Sequence, residues 1–465
     1  MSPEEYSALP AREIAARVNA GALCPVEVTK AALARLADID PKLNAFVFVA
    51  DDAIAQAERI AAMITEGGSA GPLAGVPVAV KDLISTKDMP TTFGSLLYRD
   101  HRPREDDISV ERLRAAGAII LGKTNCSEFG YGGFGHNPLF PTTRHPLDPT
   151  LTPGGSSSGS AVAVATGICP IALGSDGGGS VRLPASFTGL VGIKASMGRV
   201  PLWPGCREPE MPGASGWESV EHIGPLARDT HDAALLLSVI AGPDPRDRHS
   251  LPKGDVDWIA ATTSPAPTGL RVAYCAKWAG VPLDPEVHEV TLAAAKSLCA
   301  EISAELVECP APDISIDVFR AVVAADSDFV GLREMIAETG VPVSRAVSEL
   351  LHISPSMEQY HLSRFGRMKA VRALAELMAD FDLLLTPTVA CLPFPIDCDS
   401  PGVIDGIEID DDVWTPALFP MNLSGQPAAS VPAGTSASGL PIGLQIVGRH
   451  LADALVVSVA AAFGE

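Results

Sequence analysis

Two serine-bearing glycine turns lie within residues 153–186: Pro153-Gly154-Gly155-Ser156-Ser157-Ser158-Gly159-Ser160, then Ala172-Leu173-Gly174-Ser175-Asp176-Gly177-Gly178-Gly179-Ser180-Val181-Arg182-Leu183-Pro184-Ala185-Ser186. The chain alternates around them. Residues 160–166 read as helix, and 171–173 and 190–193 as short extended runs. Upstream, Val76-Pro77-Val78-Ala79-Val80 is a β-rich run expected to be a buried strand ending at Lys81, and 118–121 is another. Strands and helices in this alternation predict a layered α/β fold.

Farther out, residues 2–66 read as helices. Ser2, Pro3 and two glutamates form a helix start, and 26–36 and 53–64 carry helix-period apolar faces. The polar, proline-rich stretch 243–267 is expected to be a loop. Residues 271–274 suggest a strand, 285–305 an amphipathic helix, and 313–380 a largely helical region. Residues 383–385, 429–431 and 442–447 supply further strands, and 451–463 a closing helix. The expected organisation is an N-terminal helical segment (1–70), a core with the serine turns (71–240), a mainly helical variable region (241–380), and C-terminal strands with a helix (381–465). No internal repeat is present.

The 465 residues are 47% hydrophobic and 19% charged, enough for a substantial core. The 42 glycines and 40 prolines stand among apolar runs, which indicates tight turns rather than disorder. A net charge of −22 disfavours nucleic acid and anionic membrane as partners. The 9 cysteines include no C-x-x-C pair, so reduced thiols are expected and no zinc ribbon or redox motif is signalled. The first residues have no apolar core of a signal peptide, and no run of eighteen apolar residues occurs. A cytoplasmic protein is the expectation.

Three short motifs match by letter and fail by context. Gly117-x4-Gly122-Lys123-Thr124 fits a phosphate loop, but its middle residues Ala118-Ile119-Ile120-Leu121 look like a strand. Gly130-x-Gly132-x-x-Gly135 fits a dinucleotide fingerprint, yet no strand directly precedes it, so a glycine-rich surface turn is expected. Gly155-x-Ser157-x-Gly159 fits a nucleophile elbow, but turn residues stand where a strand is required. No H-E-x-x-H or similar ligand pair occurs, so His136 and His145 are expected to be solvated or structural, with no metal.

The longer pattern is more specific. The serine turns, together with Gly75-Val-Pro-Val-Ala-Val-Lys81-Asp82, Gly122-Lys-Thr-Asn125-Cys-Ser-Glu128-Phe129, Pro141-Thr-Thr-Arg144-His-Pro146, Asn422-Leu-Ser-Gly425-Gln-Pro427 and Gly439-Leu-Pro-Ile-Gly443-Leu-Gln445, resemble the amidase signature family. The resemblance runs from about residue 25 to the end and is weakest over 203–370. The spacings of 75 residues from Lys81 to Ser156 and 24 from Ser156 to Ser180 agree with it. It implies a central mixed, twisted sheet covered by helices on both faces.

By this resemblance Ser180 is the nucleophile, Ser156 a proton relay held by a non-proline cis peptide, and Lys81 the base. A serine hydroxyl needs a base, and burial can keep a lysine neutral enough to serve. The alternatives for Lys81 are a lysine snorkelling at a strand end, or one paired with Asp82. The resemblance also places an oxyanion hole at Gly177, Gly178 and Gly179 with the amide of Ser180, and gives Ser157, Asp176 and Arg182 supporting positions. Two departures stand out: Ser158 occupies a position where glycine is usual, and Gly177 replaces a bulkier residue. The pocket is expected from Cys126 to Phe134, including Tyr131, and from the segment between Trp203 and Trp217.

The implied activity is hydrolysis of small-molecule amides, aryl amides or carbamates through an acyl-enzyme, with no cofactor, by a stand-alone amidase that could form a homodimer. Two alternatives stand beside it. One is the A-type component of a tRNA-dependent amidotransferase, although residues 407–415 lack that component's usual run. The other is a non-catalytic binding protein on the same scaffold, which is expected to have lost a triad residue.

Overall fold

The computed structural model describes residues 1–205, 210–214, 217–254, 256–352, 356–409 and 413–463. Parts of the two segments singled out above, between Trp203 and Trp217 and over 407–415, therefore fall outside the described residues.

Thirteen strands are described. Chain order gives β1 (Phe46–Val49), β2 (Pro77–Lys81), β3 (Ile119–Thr124), β4 (Ile171–Ser175), β5 (Val191–Lys194), β6 (Ile223–Ala227), β7 (Arg271–Tyr274), β8 (Glu305–Glu308), β9 (Leu383–Pro387), the small hairpin β10 (Val403–Ile404) and β11 (Ile407–Glu408), then β12 (Ala428–Thr435) and β13 (Pro441–Gly448). All but the hairpin join one 11-stranded sheet in the order β1-β3-β2-β4-β6-β5-β12-β13-β9-β7-β8. Strands β3, β2 and β4 run parallel, as do β9, β7 and β8, while the strands between them pair antiparallel. This is the mixed sheet that was expected.

Side chains alternate between the two faces of a strand. Every residue of β2, β3, β4, β6, β9 and β13 is buried, so helices must cover both faces. The apolar runs of these strands follow from that double burial.

Several elements differ from the sequence expectation. Residues 2–66 are not all helical, because Phe46–Val49 forms the edge strand β1 against β3. Ile223–Ala227 is the central strand β6 despite Gly224 and Pro225. The helix expected over 285–305 is Pro285–Glu301, and Glu305 already begins β8. Within the expected loop 243–267 lies a short helix, Trp258–Thr263, with its tryptophan buried. The phosphate-loop match is strand: Ile119–Thr124 is wholly buried and Lys123 is enclosed.

Candidate active site

The parallel neighbours β2 and β4 end side by side, with Val80 opposite Leu173. Ligands of α/β sheets collect at such carboxyl ends. Lys81 closes β2 and Ser175 closes β4. Beyond β4, residues 176–181 turn into the helix Arg182–Thr188, and the helix Ser158–Ala165 begins just after Ser156.

Lys81 is fully buried. Its Nζ lies 2.7 Å from Ser156 Oγ, 3.1 Å from Ser175 Oγ and 3.3 Å from the Ser175 carbonyl oxygen. Burial pushes its pKa down to about 8. Asp82 is not its partner: that carboxylate accepts from Thr92 and lies 3.8 Å from Lys123 Nζ. The Gly155–Ser156 peptide is cis, as the resemblance implied. The Ser157 amide donates to the Ser180 carbonyl at 3.3 Å, and its hydroxyl donates to the Ser175 carbonyl at 3.2 Å. Lys81 and Ser156 are thereby in direct contact and the backbone at Ser180 is tied to the next residue, Ser157, although the hydroxyls of Ser156 and Ser180 make no direct hydrogen bond among the described residues.

Below the glycine turn lies a buried ionic network. Arg182 Nε donates to Asp176 Oδ2 at 2.9 Å and Nη2 to Oδ1 at 2.8 Å, a two-point pair with neither side chain exposed. The remaining guanidinium donors reach Asn422, Gln445 and the Leu418 carbonyl. Burial alone would raise the Asp176 carboxyl, but Arg182 holds it well below the usual carboxylate range. Asp176 is thus a fixed anion that ties the turn to the helix.

One expected role changes here. The Gly179 amide donates to Asp176 Oδ1 at 2.8 Å, so it is turned inward and is spent. Gly178 and Ser180 border the cavity, and their amides have no hydrogen bond among the described residues. The Gly177 amide is also unbonded among the described residues, but Gly177 itself does not border the cavity.

A cavity of about 350 Å³ opens over Ser180, which lies on its wall. Tyr131 and Phe134 line it as expected, and residues 130–134 of the glycine-rich turn form part of its wall rather than lying on the surface. Cys126 does not line it: the thiol is buried behind the wall, where burial raises its pKa far out of reach. Trp203 does not line it either; its carbonyl accepts from the Ile108 amide, and Ile108 is not on the wall. The other aromatic walls are Trp217, Phe319, Trp414 and Phe419. Phe319 belongs to the helix Ile316–Asp326, where Ile316, Phe319 and Val323 share one face. That spacing was legible, but it is also how an ordinary core face reads.

His136 and His145 have structural partners. His136 pairs with Asp399 at 2.9 Å and stacks on Phe134, while His145 bonds the Phe187 carbonyl at 2.8 Å.

Residues 27–457 match the model of the Amidase family. An acylamidase of Rhodococcus erythropolis is 33% identical over 100% of this chain and 96% of its own. The A-type component of the glutamyl-tRNA(Gln) amidotransferase of Symbiobacterium thermophilum is 36% identical over 97% of this chain and 96% of its own. Among solved structures, a bacterial aryl acylamidase of the amidase signature family superposes with a TM-score of 0.88 at 30% identity, covering 98% of this chain and 95% of that one. With the buried lysine, the cis-linked serine and the clamped glycine turn in the same molecule, the chain belongs to the amidase signature family.

Proposed function

We propose that the chain is a stand-alone serine hydrolase of small-molecule amides, with carbamates as a related substrate class. The observation that carries this is the 2.7 Å contact between buried Lys81 Nζ and Ser156 Oγ, next in the chain to Gly155, which with Ser180 borders the cavity. A neutral lysine takes the Ser156 hydroxyl proton as Ser156 takes that of Ser180, and Ser180 Oγ bonds to the substrate carbonyl carbon. The carbonyl π pair moves onto oxygen, where the amides of Gly178 and Ser180 receive it; one such donor is typically worth roughly 2.7–4 kcal/mol. Collapse of this intermediate expels the amine, which takes the proton back through Ser156. Water then attacks the acyl-enzyme by the same relay and releases the acid and Ser180. Carbamates follow the same course, leaving a carbamoyl-Ser180 when the alcohol departs or an alkoxycarbonyl-Ser180 when the amine departs.

Intact mass after exposure to a fluorophosphonate tests this. One adduct on the wild type, absent from Ser180→Ala and slowed in Lys81→Ala, supports it. A folded wild type that stays unlabelled overturns it.

The similarity to the A-type components of amidotransferases favours a second reading, transfer of ammonia to a misacylated tRNA with partner proteins. Free-amide hydrolysis by the purified chain alone argues against it. Hydrolysis that begins only after those partner proteins are added argues for it.

A further inference from the structure

Each glycine of the turn before Ser180 lies under a large apolar side chain. A Cβ on Gly177 would stand 2.5 Å from Trp217 Cε3, one on Gly178 2.8 Å from Phe319 Cζ, and one on Gly179 2.5 Å from Leu418 Cδ1. The first contact is with the fused ring of an indole, which cannot yield by a small rotation of a chain end. Any side chain at 177 would therefore evict Trp217 from its place. The departure from the commoner family pattern at this position thus has a physical counterpart in the tryptophan that fills the space.

Trp217 is held there against its own local preferences. Its φ of +65° is a left-handed setting that bulky residues rarely adopt. Its indole N–H is buried near the Tyr131 phenol and makes no well-formed hydrogen bond among the described residues. Backbone outliers and unsatisfied groups of this kind persist where surrounding structure enforces them, and they gather at functional sites. The Trp217 ring centroid is 4.7 Å from that of Tyr131 at a tilt of 33°, and 6.2 Å from that of Phe319 at 53°. All three rings border the cavity over Ser180. Aromatic rings associate in offset or tilted geometries at such separations, so a flat ring entering this cavity meets ready-made partners.

We propose that Gly177 makes room for Trp217 to act as the flat wall that selects an aromatic ring in the substrate. This rests on the assignment of Ser180 as the reacting centre, and it narrows the amide substrates to those with an aryl group within reach of that wall.

The test is a binding comparison in the Ser180→Ala protein, so that turnover plays no part. Titration calorimetry would compare two pairs matched in size and differing in flatness: acetanilide with N-cyclohexylacetamide, and benzamide with cyclohexanecarboxamide. The aryl member of at least one pair should bind roughly 3- to 10-fold more tightly. That ratio should persist in Trp217→Phe and collapse toward one in Trp217→Leu and in Gly177→Ala. Thermal melts would identify any variant that fails to fold, and Trp217→Phe against Trp217→Leu still decides if Gly177→Ala does. No aryl preference in either pair, or a preference unchanged in Trp217→Leu, overturns the proposal. Fluorophosphonate labelling of Ser180 reads the hydrolytic chemistry separately, so the two can fail independently.

Discussion

Arg182 and Asp176 meet edge to edge beneath the glycine turn, with nitrogen–oxygen distances of 2.9 and 2.8 Å and no exposure of either side chain. The pair links the first residue after β4 to the helix Arg182–Thr188, and Asn422 closes it from the far side by donating to Asp176 Oδ1 at 2.9 Å. The turn that presents Ser180 is therefore held by charge as well as by packing.

Breaking that pair should cost stability and activity together. Removing one partner of a buried ion pair leaves an uncompensated charge, typically worth about 3–5 kcal/mol. Asp176→Asn should lower the unfolding free energy by that order in a denaturant titration and loosen the Gly178 and Ser180 amides. Fluorophosphonate labelling of Ser180 should then slow by at least ~10-fold, since one displaced oxyanion donor costs that much or more. Wild-type labelling rates in Asp176→Asn would show that the turn holds its shape without the pair.

The pH dependence follows from Lys81. Below about 8 it is an ammonium, which can donate to Ser156 but cannot take its proton; above about 8 it is neutral and can. Amide kcat/KM should therefore rise with pH, about tenfold per unit on the acid side, and level off above about 8. A profile that is flat from pH 6 to 9, or that falls across that interval, excludes Lys81 as the base.

Ser175 tunes that profile. Its hydroxyl and carbonyl oxygens both accept from Lys81, and such bonds favour the charged form. Ser175→Ala removes one acceptor in a fully buried site. The acid limb should move down by roughly one pH unit, because a bond to a charged group is worth about 1.5–3 kcal/mol and each unit about 1.36 kcal/mol. kcat should fall as the lysine loses its positioning contact. A loss of activity with the limb unmoved would mean that Ser175 only packs.

The proposed reacting side chains were legible because they lie in short motifs, the end of β2 and the two serine turns, whose spacing can be compared directly. The layered fold was legible because buried strands on a doubly covered sheet are mostly apolar. What escaped had the wrong local signature. β1 is four residues set among helices, and β6 carries a glycine and a proline in the middle of the sheet. The cavity walls Phe319, Trp414 and Phe419 come from distant segments, and their apolar spacing is that of any core residue. Sequence marks Gly179 as a glycine but not the direction of its amide, which Asp176 decides. Cys126 and Trp203 stand near the site along the chain, but neither reaches the cavity in space.

Two buried lysines lie on neighbouring strands, and their register separates their roles. Lys81 is opposite Thr124, and Lys123 is opposite Val80, one step out of phase. Laterally paired residues share a face and successive residues alternate, so the two lysines point to opposite sides of the sheet. Lys123 Nζ meets the Thr91 hydroxyl at 2.8 Å and the Thr86 hydroxyl at 3.2 Å, with Asp82 at 3.8 Å, and has no part in the serine cluster. Burial lowers both lysines to about 8, so ionisation alone does not distinguish them. Substitution should. Lys123→Met strands the Asp82 carboxylate and should destabilise the fold by about 3–5 kcal/mol, while the acid limb of kcat/KM stays near 8. Lys81→Met removes a buried amine that has no ion-pair partner among the described residues, so the melting temperature should change little while amide turnover is abolished. If the limb instead moves in Lys123→Met and persists in Lys81→Met, the base lies on the other face of the sheet.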